Sequence, residues 1–263
     1  MPMKKFINAP ENLTVELLEG FALAYGRKIA LQGKTVLRAV SKNRDKVALV
    51  TLGGAGHEPA LSGFVGPGML DASVVGDIFA APGAPAVMAA LQTTARDAGT
   101  LLVILNHAGD VMTADIVMEM AKKEKLEVRQ ILTHEDISSG TRADPSDRRG
   151  LVGALAVVKV AGAAAEEGRS LDECHSVAER MERNIATLAV AVTSATHPAT
   201  GAPISQLADD EMVVGMGQHG EAGTGSQKLA SADRTADIML PMLLGDLRIE
   251  RGEKVLVILN GVG

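Results

Sequence analysis

The chain has 263 residues, 46% hydrophobic and 22% charged, a globular composition with room for one large or two modest domains and none of the marks of a disordered segment. A net charge of −6 argues against nucleic acid as the main ligand, because phosphate binding needs a basic face. The single cysteine, Cys174, excludes an internal disulfide and a thiolate metal site, and this together with no signal peptide after Met1–Ala9 and no stretch near the ~18 apolar residues of a membrane span points to a cytoplasmic protein.

Leu13–Leu23 carries apolar residues at Leu13, Leu17, Leu18 and Phe21, a helical period that Asn12 can cap and Gly26 can end. Lys28–Val40 reads as a hairpin around Gln32–Gly33. Lys46–Leu52 is a buried strand running into Gly53–Gly56, and Ala72–Val75 is a further short strand. A helix over Ala84–Ala98, a strand over Leu101–Leu105 stopped by Asn106–Asp110, a helix over Thr113–Lys123 and a strand over Val128–Leu132 follow. This alternation predicts an α/β fold with a mainly parallel sheet covered by helices. Thr133–Gly150 is rich in Asp, Glu, Arg, Ser and Gly and reads as a long surface loop. Helices over Gly153–Glu167 and Ser170–Thr187, a strand over Leu188–Ser194 and a linker over Thr196–Gln206 come next. A second unit then opens with a strand over Glu211–Met216 and a glycine-rich loop to Gly225. It continues with a helix over Ser231–Leu247 and a buried strand over Lys254–Asn260. The expected organisation is two α/β domains, residues 1–194 and 195–263. The second reads as incomplete, because a buried strand ending in Asn260-Gly261 should lead into further structure.

Four chemistry-bearing segments sit at strand ends, where open parallel sheets place their ligands. Gly53-Gly54-Ala55-Gly56-His57-Glu58-Pro59 offers backbone N–H groups for oxygen atoms of a polyol or phosphate, and His57 stands ready to titrate or hydrogen-bond. A plain strand-to-helix turn explains the glycines as well. Asp110, in Asn106-His107-Ala108-Gly109-Asp110, can take a proton from a substrate hydroxyl or cap the helix that follows. Asp77 after Gly76 has the same two readings. Gly215-Met216-Gly217-Gln218-His219-Gly220 matches G-x-G-x-x-G after a strand, but the glycine-rich loop continues over Glu221–Gly225 where a dinucleotide fold would open a helix. His219 in that loop is the more informative feature. His134, His175 and His197 read as solvated surface positions, and no residue cluster has metal-ligand spacing.

Several segments together resemble the dihydroxyacetone kinase family. These are Gly54-Ala55-Gly56-His57-Glu58-Pro59-Ala60, Gly76-Asp77-Ile78-Phe79, Asn106 with Gly109-Asp110, Arg148-Arg149-Gly150-Leu151, Lys159 with Ala161-Gly162-Ala163-Ala164, and His219-Gly220-Glu221. The resemblance is to the substrate-binding K subunit and runs from Phe6-Ile7-Asn8 to Asn260-Gly261. It implies two α/β domains, a homodimer, and a ketose such as dihydroxyacetone held as a hemiaminal on His219. His57 would hydrogen-bond the substrate and assist proton transfer, Asp110 would accept the proton of the attacking hydroxyl, and Gly54, Ala55 and Gly56 would bind substrate oxygens. It further implies that this chain holds no nucleotide and no metal, with ATP or ADP and magnesium carried by a helical L-type partner subunit. In one branch of the family that partner's nucleotide is recharged by a phosphotransferase-system protein; in the other ATP is the direct donor. Three positions depart from the family pattern: Leu105 replaces a substrate-contacting lysine, Ala55 a polar residue, and Ala222 a proline. A different ketose, such as a tetrulose, follows from the lost charge, as does the alternative of a non-catalytic, ketose-binding transcriptional coactivator.

Overall fold

The structure, a computed structural model, describes residues 5–261; Met1–Lys4 and Val262–Gly263 lie outside them, and with them part of the N-terminal and chain-end readings. Two compact units are present, and they interleave along the chain. One joins residues 5–133 to 154–183, the other residues 134–153 to 184–261.

The larger unit is built on a six-stranded sheet ordered β1-β2-β4-β3-β5-β6. After α1 (Leu13–Tyr25), β1 (Ile29–Gln32) and β2 (Thr35–Arg38) form the expected hairpin, turning through Gly33 at φ +58°. Next in the chain come β3 (Ala48–Ala55), β4 (Ala72–Ile78), α2 (Ala84–Thr94), β5 (Thr100–Leu105), α3 (Ala108–Lys123) and β6 (Val128–Thr133). β4, β3, β5 and β6 run parallel, as their Val- and Leu-rich runs imply, and the hairpin adds an antiparallel edge. Alternate residues Val50, Leu52, Ala72, Val74, Leu102 and Ile104 face α2 and α3 through Val87, Leu91 and Val117. The other face is covered by α4 (Ala154–Glu166) and α5 (Leu171–Glu182). This is why the units do not follow the contiguous division at residue 194 that the sequence suggests. The helices needed to cover the second face come only after the chain has left the sheet and returned.

A buried ionic cluster ties this layer together. Asp71 pairs with Lys42 (2.8 Å) and Arg38 (3.2 Å) and accepts from the Leu49 N–H (2.8 Å), while Arg38 also reaches Glu166 on α4 (3.0 Å). Each buried charge thus has a counter-charge, without which burial would be costly.

The smaller unit holds β7 (Val190–Ala191), β8 (Glu211–Val214), β9 (Ser226–Lys228) and α6 (Ala232–Leu247), with Ser231 at its N-cap. Its sheet, β7-β8-β9, is antiparallel throughout, because no crossover helix separates β8 from β9. Leu188, Met212 and Val214 pack with Ile238, Met239 and Leu243 of α6.

Two sequence readings are corrected here. Segment 134–150 is a surface loop only in its middle, where Thr141, Ala143, Asp144, Ser146 and Asp147 are exposed; at its ends Glu135, Asp136, Arg148 and Arg149 are buried, and their charges are spent on one another and on neighbours. Residues Val255–Leu259 do not form a buried strand. They pair with no strand among the described residues, and Leu256 and Leu259 are 85% and 95% exposed. Among the described residues, no helix is long and apolar enough to cross a membrane.

Candidate functional site

In the larger unit, β3 ends in a glycine run whose register with β4 shifts between Gly53 and Ala55. The turn after β4 folds back against this run. Phe79, at φ +58°, donates its N–H to the Ala55 carbonyl (2.9 Å), and Ala80 donates to the Asp77 carbonyl (3.1 Å). A β-carbon on Gly54 would lie 2.7 Å from Ala80 N, and one on Gly76 only 1.9 Å from Ala80 O. These two glycines are therefore demanded by the close approach of two backbones. Gly56, at φ +100°, lies against the Phe79 ring, and its N–H points at both oxygens of the Glu58 carboxylate (3.1 and 3.0 Å). His57 is half-buried, its ring 5.2 Å from that of Phe79 and tilted by 38°.

Asp110 reaches the same turn from β5. The helix begins at Ala108, earlier than the Thr113 read from the sequence, so Asp110 lies in its first turn and His107 occupies the N-cap without a side-chain cap bond. Asp110 is therefore not the cap. Thr113 donates instead to the Pro82 carbonyl (3.0 Å), and Gly109 sits against Ala81, a β-carbon there lying 3.2 Å from the Ala81 methyl. Residues 79–82 thus brace both the glycine run and the start of α3. Asp110 is 8% exposed, its carboxylate at the positive end of the helix dipole. The structure brings Gly54–Gly56, His57 and Asp110 to the carboxyl edge of adjacent parallel strands β3 and β5. Asp77 stands apart, exposed and paired with Lys34. Leu105, the last residue of β5, is buried and offers no charge to this edge.

His219 belongs to the smaller unit, in the loop between β8 and β9. That loop leads into a strand, not a helix, which excludes the dinucleotide-binding geometry. Glu221 folds back on His219: one carboxylate oxygen accepts the His219 backbone N–H (2.9 Å), and the other lies 3.0 Å from ring Nδ1. Burial alone would push the Glu221 carboxyl up, but the His219 ring and the surrounding backbone N–H groups outweigh it and bring its pKa down to about 2. At neutral pH this carboxylate is an acceptor only, so Nδ1 carries the proton and the lone pair of the neutral ring lies on Nε2. The sequence reading left Glu221 without a role.

The Dak1 domain family matches residues 19–263. The dihydroxyacetone-binding subunit DhaK of a PTS-dependent dihydroxyacetone kinase from Lactococcus lactis is 37% identical over 264 residues, covering 100% of this chain and 80% of that protein. A D-erythrulose kinase from Mycolicibacterium smegmatis is 36% identical over 99% of this chain and 45% of its own length. Among solved structures, the dihydroxyacetone kinase from C. freundii in complex with AMP-PNP and Mg2+ superposes with a TM-score of 0.85 at 32% identity, over 93% of this chain and 46% of that one. The dihydroxyacetone kinase operon co-activator Dha-DhaQ gives 0.83 at 30% identity, over 89% and 71%.

Proposed function

This chain belongs to the dihydroxyacetone kinase family as a Dak1 domain of the DhaK type, and from that premise we propose that it is the substrate-binding subunit of a short-chain ketose kinase. Phosphoryl transfer draws on an L-type partner that brings ATP or ADP with magnesium; this chain brings the ketose. Named ketose kinases among the relatives support the substrate class, and Leu105 favours a ketose other than dihydroxyacetone, such as erythrulose. We place the protein in the cytoplasm as a homodimer.

The single observation that carries this reading is the His219–Glu221 pair. The lone pair on Nε2 attacks the ketone carbon, the carbonyl π electrons move to oxygen, and that oxygen takes up a proton. The ring becomes cationic as the N–C bond forms, and the Glu221 carboxylate at Nδ1 balances that charge, while solvent supplies the proton to the carbonyl oxygen. Only a carbonyl compound reacts this way, so polyols without a carbonyl are rejected by chemistry rather than by shape. Asp110 accepts the proton of the terminal hydroxyl as its oxygen attacks phosphorus. His57 hydrogen-bonds the substrate and assists that transfer, and the backbone of Gly54, Ala55 and Gly56 takes the substrate oxygens.

Mixing the protein with an L-type subunit, magnesium and ATP, or with the phosphotransferase-system donor, tests this. Ketose phosphate should form with the partner and not without it. Asp110→Asn should lower turnover by about 10²–10⁴-fold while ketose binding survives. A second reading, a ketose-binding coactivator without catalysis, is supported by the similarity to Dha-DhaQ. Ketose binding with no transfer in either donor system, and no effect of Asp110→Asn, would favour it.

A further inference from the structure

His219 sits in a glycine-rich loop, and the means of holding it still lies in the buried ends of segment 134–150. Arg149 is 8% exposed and Asp136 0%. Arg149 Nε donates to Asp136 Oδ2 (2.8 Å), and Nη2 donates to Ser138 Oγ (2.8 Å) and to the carbonyl of Gly215 (2.8 Å). Ser138 Oγ in turn lies 2.7 Å from Asp136 Oδ1 and 3.1 Å from the same Gly215 carbonyl. Gly215 is the residue at which β8 turns, with φ +81°, into the His219 loop, and its N–H is held by the Ala189 carbonyl (2.7 Å). Both polar groups of this pivot peptide are thereby fixed. Two residues on, a β-carbon on Gly217 would lie 2.3 Å from Arg149 Nη1 and 2.1 Å from Glu221 Oε2. The free edge of the guanidinium and the carboxylate that orients His219 therefore press against the same glycine.

We propose that Arg149 is a positioning residue for His219. It anchors the pivot of the loop through the Gly215 carbonyl and faces the Glu221 carboxylate across Gly217, so that Glu221 stays on Nδ1 and the reactive lone pair stays on Nε2. A planar fork of donors serves three acceptors at once, which the single ammonium of a lysine does not reproduce. The geometry is that of an outer layer orienting an inner ligand, the arrangement that fixes a histidine tautomer in metal sites.

The inference rests on the carbonyl-capture reading of His219, and the test separates the two. The ring ¹⁵N signals of His219 are recorded without ligand in the wild type, Arg149→Lys, Arg149→Met and Ser138→Ala, and ketose affinity is measured on the same samples. Arg149→Lys and Arg149→Met should move the ring from a single Nδ1-protonated form to a mixture of tautomers. Affinity should fall by up to about tenfold, no more than for loss of Glu221, through which Arg149 acts. Ser138→Ala should do the same more weakly. A purely structural Arg149 would lower the melting temperature and leave the ring signals of the folded fraction unchanged. Folded Arg149→Lys and Ser138→Ala proteins with wild-type ring signals and wild-type affinity would overturn the proposal, whether or not Arg149→Met folds. If the wild type binds no ketose yet the tautomer depends on Arg149, the capture reading fails and the positioning role stands.

Discussion

Replacing Glu221 by glutamine removes the charge beside His219 and little else. In the folded protein the Glu221 carboxyl is held at about 2, against an ordinary 4.5. At about 1.4 kcal/mol for each tenfold change, that depression sets a ceiling of about 3 kcal/mol on its contribution to stability. The side chain is 38% exposed, and solvent screening reduces the contribution to about 1 kcal/mol. Because the folded value is the lower one, this stability is fully present above the unfolded value of 4.5 and is lost as pH falls towards 2. The assay is a thermal melt of wild type and Glu221→Gln across that window. Wild type should lose about 2–4 °C more than the variant between the two ends, the usual equivalent of 1 kcal/mol in a chain of this size. At neutral pH the amide can turn either its oxygen or its nitrogen to Nδ1, so the ring is no longer confined to one tautomer and ketose affinity should drop by about tenfold. Parallel pH profiles for the two proteins together with equal ketose affinity would refute the role given to Glu221.

Gly76→Ala sets a β-carbon 1.9 Å from the Ala80 carbonyl and 2.8 Å from Pro82 N, all of it backbone, so the 79–82 turn must move. We expect a loss of about 1–3 kcal/mol in a denaturant titration together with weakened ketose binding, since this turn braces both the glycine run and the start of α3; wild-type binding would detach the turn from the site. Lys42→Met leaves the buried Asp71 with Arg38 at 3.2 Å as its remaining counter-charge and should cost about 3 kcal/mol, read as a shift of the urea midpoint; a neutral effect would show that Arg38 and the Leu49 N–H suffice.

Much of the larger unit was legible because its cause is local. The runs over residues 48–52 and 101–105 are too apolar for an exposed strand, and the helical patterns between them fix a parallel sheet. The early start of α3 was not legible. Asn106-His107-Ala108-Gly109 contains a poor helix former at Gly109, and what permits the helix there is its contact with Ala81. The burial of the two ends of segment 134–150 was hidden for a different reason. A run of Asp, Glu, Arg and Ser reads as solvated unless each charge meets a partner, and those partners include Gly215, 66 residues from Arg149, and Asp246, 98 residues from Arg148. The interleaving of the two units was likewise invisible, because sequence order does not say that α4 and α5 return to cover the first sheet. Among the candidate residues, His57 and Asp110 in the larger unit and His219 in the smaller one drew attention by residue type at strand ends. Glu221 did not, because nothing in a spacing of two residues tells that its carboxylate turns back onto the neighbouring ring.

The central claim is that His219 captures a ketone through Nε2. The most direct measurement is a ¹³C spectrum of dihydroxyacetone or erythrulose, labelled at the carbonyl carbon, bound to the wild type and to His219→Ala. The account predicts that the wild type replaces the ketone signal with that of a tetrahedral carbon, coupled to nitrogen when the histidines are ¹⁵N-labelled, and that His219→Ala melts near the wild type and shows no such carbon. A bound ketose that keeps its ketone signal in the wild type, or a tetrahedral carbon that persists in His219→Ala, would contradict it.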